Sequence, residues 1–184
     1  MEASPILRRA ARVLRAGGVI AYPTEAVFGV GCDPACRAAV ARIVSLKRRP
    51  QRAGFILIAA DAAQLRGWID PTPAERRRLA APAARPVTWV VTAGPRATPL
   101  LTGGRKTLAV RVTTHATAAA LCRAAGMPLV STSANIHGHA PARTALAARR
   151  QLGFLLDLVM PGATGGERRP TEIRDARTGT VLRK

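Results

Sequence analysis

Residues 22–34 read YPTEAVFGVGCDP, and this stretch constrains the fold more than any other part of the chain. The apolar residues 19–22 that lead into it are typical of a short buried strand. At its far end, Asp33 and Pro34 supply a cap and a first-turn proline for a helix. Between strand and helix the sequence predicts a loop that carries the hydroxyl of Thr24 and glycines that allow close backbone approach.

The same alternation of elements continues along the chain. Further strands are predicted at 55–60, 87–92, 107–112 and 129–130, and further helices are predicted to begin at Pro5, near Pro73 and after Asp61, Thr114 and Thr144. Strands interleaved with helices indicate an α/β fold. Several connections do not fit plain βαβ units, so we expect one domain over residues 1–184 with a twisted, mixed parallel and antiparallel sheet flanked by helices.

Length and composition restrict the class of protein. A chain of 184 residues, 48% of them apolar, can bury a core without disulfides or a structural metal. Its longest purely apolar stretch, residues 55–60, is far shorter than a membrane helix of about 20 residues, so we expect no membrane span. The arginine-rich residues 1–18 fit a transit peptide less well than an ordinary first helix. Three cysteines cannot all pair, which fits a reducing, cytoplasmic location.

The charge is strongly positive. The formal net charge is +19, and lysine occurs only at positions 47, 106 and 184, so 26 of the 29 basic residues are arginine. One interpretation is a protein that binds anions, either nucleotides or RNA. The other is a solvated arginine surface set by a GC-rich coding bias, and charge alone does not choose between them.

The usual nucleotide and hydrolase motifs are missing from the sequence. There is no G-x-x-x-x-G-K-[ST] phosphate loop, and Pro34 stands where a dinucleotide fingerprint has its third glycine. No serine lies in a G-x-S-x-G elbow. His137 and His139 have no third ligand nearby, so no metal site is predicted. These patterns argue against an enzyme with a covalent nucleophile.

Four short segments bring polar and cationic groups to the ends of predicted elements: residues 22–33, 47–50 (KRRP), 108–112 (LAVRV) and 131–135 (STSAN). Taken singly, each has a structural alternative, such as a solvated turn or a charged helix end. Arg111 lies in an apolar strand and needs an anionic partner, which could be a structural carboxylate or a ligand. Because ligands of open α/β sheets bind at strand ends, the four segments together predict an anion site.

Six segments resemble, in order, the motifs of the YrdC/TsaC family of bacterial threonylcarbamoyl-AMP synthases: residues 22–34, 47–50, 86–90, 108–112, 131–135 and 172–175. The resemblance runs from about Ile6 to the C-terminus and implies the short, one-domain form with a basic concave cleft. It also implies the reaction, in which L-threonine, bicarbonate and ATP give threonylcarbamoyl-adenylate and pyrophosphate with Mg²⁺ assisting. A transferase complex of the TsaD/TsaB/TsaE type would then modify an adenosine in tRNA.

The resemblance further implies roles for particular residues. Lys47 and Arg49 would hold the ATP phosphates or the carbonate-derived group. Substrate contacts are implied for seven more residues: Thr24 at the threonine or carbamate, Arg111 along the anion cleft, Ser131, Ser133 and Asn135 at the nucleotide and intermediate, and Thr88 and Thr171 at the cleft edge. No residue is implied as a metal ligand.

One departure and one rival interpretation accompany the resemblance. Residues 83–85 read AAR where the family usually has Trp-Pro-Gly, a difference that bears on the wall of the pocket next to Thr88. The rival is a non-catalytic module that binds double-stranded RNA or tRNA through the same basic cleft. Against it, aromatic residues are only 3% of the chain, too few for platforms on which single-stranded bases stack.

Overall fold

The computed structural model describes residues 4–48, 51–81, 85–136, 138–167 and 171–183, without the side chain of Gln51. The helices are α1 (Pro5–Arg15), α2 (Arg37–Lys47), α3 (Pro73–Ala80), α4 (Pro99–Thr102), α5 (Ala116–Ala125) and α6 (Ala145–Leu152). The strands are β1 (Ile20–Pro23), β2 (Phe28–Gly31), β3 (Ile56–Ala59), β4 (Val87–Thr92), β5 (Thr107–Val112), β6 (Leu129–Ser133), β7 (Leu158–Val159), β8 (Glu172–Asp175) and β9 (Val181–Arg183).

The described strands form one mixed sheet in the order β7-β1-β2-β6-β3-β5-β4-β8-β9. The pairs β1/β7, β3/β5 and β4/β8 are parallel, and the other neighbours are antiparallel. The predicted mixed sheet flanked by helices is therefore confirmed. The order places β6, β3 and β5 in the middle, although long stretches of sequence separate these strands.

Helices cover both faces of the sheet. On one face α1 and α5 pack over Ile20, Tyr22 and Ile58, and on the other α2 and α6 pack over residues such as Leu57 and Val110. Side chains two residues apart on a strand share a face, so Ile56 lies on the same face as Ile58. Along that face, beyond α1 and α5, lies an open cleft.

The ends of several elements differ from the predictions. The stretch predicted as a loop after Pro23 contains strand β2, because Thr24–Val27 forms a tight turn in which the Thr24 N–H donates to the Val27 carbonyl at 3.2 Å. The Asp33 carboxylate accepts from the Ala35 N–H at 2.8 Å, so it caps a turn, and helix α2 starts only at Arg37.

The N-terminal caps were predicted with mixed success. Thr144 caps α6 as predicted, and Asp61 caps a short 3-10 helix, Ala62–Leu65. Ser4 occupies the N-cap position of α1 without a side-chain hydrogen bond, and α5 is capped by His115 in place of Thr114. None of the described helices combines the length and apolar character that crossing a bilayer requires.

Close packing of β2 against β6 depends on a glycine. A Cβ at Gly31 would overlap the Val130 carbonyl oxygen and lie 3.0 Å from the Tyr22 hydroxyl. Tyr22 is fully buried, and its hydroxyl donates to that same carbonyl at 3.4 Å. A side chain at position 31 would therefore push apart two central strands.

We predict that Gly31→Ala lowers the free energy of unfolding by at least about 2 kcal/mol, the scale of overpacking in a dense core. The matched control is Gly153→Ala, because Gly153 has helical backbone angles and a Cβ there meets only the flexible side chain of Arg149. Urea denaturation of both variants measures the effect. Equal stability of the Gly31 and Gly153 variants would contradict this account of the packing.

Candidate active site

The cleft consists of two adjoining cavities. The first has a volume of about 180 Å³ and is lined by polar and apolar residues from seven separate parts of the chain: Thr24–Gly29, Phe55–Ile56, Arg111, Ser131–Ser133, Pro141, Thr171 and Arg183. The second has a volume of about 420 Å³ and shares Phe55, Ile56 and Arg183 with the first. Together they form a continuous groove along the open sheet face.

The floor of the first cavity follows from strand register. Gly29 of β2 pairs with Ser133 of β6, and Ile56 of β3 pairs with Ser131 of β6. A Cβ at Gly29 would lie 3.1 Å from the Thr24 methyl group and 3.3 Å from the Ser131 hydroxyl. The glycine therefore makes room for two hydroxyl-bearing side chains that line the same cavity.

Arg111 projects from β5 into this cavity and is buried, with 8% of its surface exposed. Its Nη2 lies 3.2 Å from Oε2 of Glu25, and its Nη1 donates to the Thr171 hydroxyl at 2.6 Å. The Thr88 hydroxyl lies 3.0 Å from that of Thr171. The structural carboxylate expected as one partner of Arg111 is therefore Glu25, and contact of Arg111 with an anionic ligand stays a prediction.

Thr24 and Ser133 present lone pairs to the cavity, because their hydroxyl protons are engaged. The Thr24 hydroxyl donates to the Val27 carbonyl at 2.7 Å. The Ser133 hydroxyl donates to Oδ1 of Asn135 at 2.6 Å. Each hydroxyl can therefore accept a hydrogen bond from a ligand N–H or O–H without rearrangement.

Lys47 and Asn135 lie behind Ser133. The Lys47 ammonium, with the residue 4% exposed, donates to the carbonyl and side-chain oxygens of Asn135 at 2.9 and 3.0 Å and to the Ser133 carbonyl. The Asn135 amide donates to the carbonyls of Ile136 and His139 at 3.0 and 2.7 Å. These groups fix the turn that ends β6, and neither residue lines the described cavities.

Arg183 reaches the cleft from the edge strand β9 and lies where the two cavities meet. Arg183 is an exposed residue, but partial desolvation of its guanidinium and then the nearby charge of Arg111 lower the pKa of Arg183 below its ordinary value. The positive charges of two neighbouring guanidinium groups repel each other. An anion bound between them is stabilised because it offsets that repulsion. Of the described residues that line the first cavity, only Glu25 carries a carboxylate.

The predicted site residues occupy two layers. Those that line the first cavity are Thr24, Arg111, Ser131, Ser133 and Thr171. Those behind the lining are Lys47, Asn135 and the fully buried Thr88. Arg49 lies outside the described residues, as do Ala83, Ala84 and His137. Arg85, the third residue of the departure from the family pattern, is exposed.

Sequence reasoning missed Glu25 and Arg183. Glu25 stood within the quoted stretch, and its charge beside a buried-type strand was the available signal. Arg183 was one of 26 arginines, and nothing local distinguished it from the others.

The described residues contain no group of three or more His, Cys, Asp or Glu side chains placed to hold a metal ion. Cys32 and Cys122 are also poor nucleophiles, because burial raises the pKa of Cys122 to about 12 and that of Cys32 in the same direction. The cleft is therefore built for binding and electrostatic stabilisation by arginines and hydroxyls.

A mixed sheet flanked by helices, with a cleft on one sheet face, defines the chain as an α/β domain. The Sua5/YciO/YrdC family model, described as "Telomere recombination", matches residues 12–184. The chain therefore belongs to the Sua5/YciO/YrdC family.

Similar proteins include the threonylcarbamoyl-AMP synthase of Halorhodospira halophila, 53% identical over 97% of this chain and 94% of that protein. The threonylcarbamoyl-AMP synthase of Nitrosococcus oceani is 54% identical over 96% of each chain. The crystal structure of P. abyssi Sua5 complexed with L-threonine matches 92% of this chain at a TM-score of 0.84 and 28% identity. This chain spans 50% of the length of that structure.

We predict that the Glu25–Arg111 pair makes stability sensitive to acid. Burial opposes ionisation of Glu25, but the charge of Arg111 and hydrogen bonds from Thr113 and Thr114 hold its pKa below the ordinary value. A lowered pKa stabilises the folded state above the unfolded pKa of about 4.3, and this contribution is lost as pH falls through the folded value.

Urea denaturation of the wild type and Glu25→Gln at several values of pH measures this contribution. The stability difference is expected to be constant from pH 7 to pH 5 and to shrink below about pH 4.3. A difference that stays the same at pH 3 would show that the carboxylate charge does not stabilise the fold.

Proposed function

We propose that this chain is a threonylcarbamoyl-AMP synthase, an enzyme that makes threonylcarbamoyl-adenylate and pyrophosphate from L-threonine, bicarbonate and ATP. The observation that carries the proposal is its 53–54% identity, over nearly the full length, to proteins of that name. The Sua5 structure with bound L-threonine, a member of the same family, supports threonine as the amino acid.

The reaction brings several anions together. The amine nitrogen of threonine attacks the carbon of CO₂ supplied by bicarbonate, and loss of a proton leaves a carbamate. A carbamate oxygen then attacks the α-phosphorus of ATP, and the bond from that phosphorus to the bridging oxygen breaks, so that pyrophosphate leaves with the electron pair. Neither step needs a protein nucleophile, whereas both need carboxylate, carbamate and phosphate oxygens held close despite their repulsion.

The charge of the cleft suits this task. Arg111 and Arg183 face the first cavity against one carboxylate, that of Glu25. Fixed cations in a partly buried site stabilise charge that develops on phosphoryl oxygens. Holding the carbamate and the phosphate in position also removes entropy from the barrier, an effect worth up to about 7–11 kcal/mol for well-oriented reactants.

The sizes of the two cavities favour a division of substrates. A volume of about 180 Å³ is below the range of roughly 300–1,000 Å³ usual for pockets that bind small-molecule ligands and cofactors, whereas the adjoining volume of about 420 Å³ falls within it. We assign the threonine carbamate to the first cavity and most of the nucleotide to the second. The apolar residues Val90, Ala109 and Ile173 in the second cavity suit a nucleobase.

The lone pairs at the first cavity suit an amino acid. Thr24 and Ser133 can accept from the amine or carbamate N–H and from the threonine hydroxyl, because their own protons are donated elsewhere. Lys47 then supports the reaction by fixing Ser133, and the role of Arg49 at the phosphates rests on the family resemblance. Thr88, which is buried, holds Thr171 in place through the hydrogen bond between their hydroxyls.

Mg²⁺ would enter with ATP. Mg²⁺ prefers oxygen ligands, and it usually binds substrate phosphates and water with one or two carboxylates at most. Glu25, the carboxylate of the first cavity, is already paired with Arg111. The described residues therefore offer no cage for the ion, which fits a metal carried by the triphosphate.

The product defines the partners. A mixed anhydride of a carbamate and a phosphate hydrolyses readily, so an acceptor enzyme must consume it quickly. We place the chain in the cytoplasm, where it would supply a transferase complex of the TsaD/TsaB/TsaE type that modifies tRNA.

The test of the proposal is release of pyrophosphate. Purified protein incubated with ATP, L-threonine and bicarbonate is expected to release pyrophosphate only when all three are present. A protein that binds tRNA tightly but releases none would favour the RNA-binding module, for which the net charge of +19 remains the argument.

We predict that Arg183→Ala lowers kcat/KM at least tenfold, because a charge-assisted hydrogen bond contributes about 1.5–3 kcal/mol. The control is Arg150→Ala, since Arg150 is exposed on α6 and lines neither cavity. An Arg183 variant as active as the Arg150 variant would remove Arg183 from the site.

We also predict that Lys47→Ala lowers adenylate formation at least tenfold while the protein stays folded, because the turn that holds Ser133 loses its ammonium. Circular dichroism checks the fold and pyrophosphate release the activity. Full activity in a folded Lys47 variant would count against the assignment.

A further inference from the structure

Glu25 forms several contacts at the cleft, and the proposed reaction assigns no role to this residue. It lies in the turn between β1 and β2, it is 4% exposed, and it forms part of the wall of the first cavity. Two other segments of the chain, residues 111–114 and the segment that contains Glu167, contact it. An acidic residue in a site built for anions requires a physical explanation.

The Glu25 carboxylate is held by hydrogen bonds at Oε1 and by an ion pair at Oε2, which accepts no hydrogen bond from the described residues. Oε1 accepts from the Thr113 hydroxyl at 2.6 Å and from the Thr114 N–H at 3.3 Å. Oε2 lies 3.2 Å from Nη2 of Arg111 and is buried. The main-chain carbonyl of Glu25 accepts a hydrogen bond from the Glu167 N–H at 3.0 Å. This bond connects the turn to the segment that precedes Thr171. The carboxylate is therefore fixed in place.

Glu25 also sets the orientation of Arg111. The guanidinium also contacts the hydroxyls of Thr171 and Thr88, at 2.6 and 3.5 Å, and its Nε is buried without a hydrogen bond to the described residues. Hydroxyls accept from many directions, whereas a buried opposite charge fixes where the guanidinium points. Without Glu25, Arg111 could turn toward any anion in the cleft.

Glu25 is a poor candidate for contact with substrate. Oε1 already accepts two hydrogen bonds, Oε2 is buried beside the Arg111 guanidinium, and the lowered pKa of the carboxyl makes it a weak base at neutral pH. A buried ion pair is also weak evidence for stability, because desolvation offsets much of the Coulombic attraction. Glu25 would therefore affect the reaction indirectly, by holding Arg111 in place.

We propose that Glu25 is a positioning residue of the adenylate-forming site, which holds the Arg111 guanidinium at the angle needed for the reacting oxygens. This inference rests on the proposed function. A misplacement of about 1 Å can lower a rate by about a hundredfold, so the effect is expected mainly in kcat.

The first test is Glu25→Gln, which keeps shape and removes charge. We expect kcat to fall at least tenfold while the KM for ATP rises less than threefold, because the cleft keeps its cations. The control is Glu75→Gln, since Glu75 is also fully buried and accepts from Thr72 and Thr92 in a helix cap outside both cavities. The control is expected to keep kcat within twofold. An unchanged kcat in a folded Glu25→Gln would overturn the proposal.

The second test is a double-mutant cycle with Arg111→Gln under single-turnover conditions. If Glu25 acts through Arg111, Glu25→Gln lowers the rate less than twofold further in the Arg111→Gln background. A tenfold further loss would overturn the positioning role. Wild type that makes no adenylate would instead overturn the proposed function, and this proposal with it.

A milder variant covers the case in which Glu25→Gln does not fold. Thr113→Val removes the 2.6 Å hydrogen bond to Oε1 but keeps both charges and nearly the same volume. We expect kcat to fall between twofold and tenfold, and this loss is expected to disappear in the Arg111→Gln background. Full activity of Thr113→Val, or a loss that persists without Arg111, would contradict the proposal.

Discussion

The structure depends on one electrostatic constraint, a guanidinium buried on the face of a β-sheet. Desolvating a charge is costly unless it is paired, and Glu25 meets the cost for Arg111 with an ion pair of 3.2 Å. The single negative charge of Glu25 does not also neutralise the positive charge of a second arginine, Arg183, at the same cleft. The resulting excess of positive charge makes anionic ligands the natural complement of this surface.

The fold makes that arrangement possible. A mixed sheet places β6, β3 and β5 side by side, so hydroxyls from one strand face an arginine from another. Helices α1 and α5 cover part of the same face, which leaves the groove beyond them open. Glycines at 29 and 31 let β2 approach Tyr22 and β6 closely. The site therefore lies on the part of the sheet face that α1 and α5 leave uncovered.

The sequence predicted most elements, since hydrophobic periodicity and capping residues are local signals. It missed β2, because that strand pairs with distant β6 and its run FGVG contains two glycines. Thr24, Arg111, Ser131, Ser133 and Thr171 were predicted at the cleft and line it. Whether a residue lines the cleft or supports it, as Lys47, Asn135 and Thr88 do, depends on side-chain direction in the folded chain. Local sequence does not encode that direction.

The central claim is that threonine and nucleotide share one groove between Ser133 and Arg183, with the negative oxygens beside Arg111. A crystal structure with L-threonine and a non-hydrolysable ATP analogue tests it most directly. We expect the amino acid beside Thr24 and Ser133, the phosphates within hydrogen-bonding distance of Arg183, and the base in the larger cavity. Nucleotide bound on another face of the sheet, with the groove empty, would contradict the account.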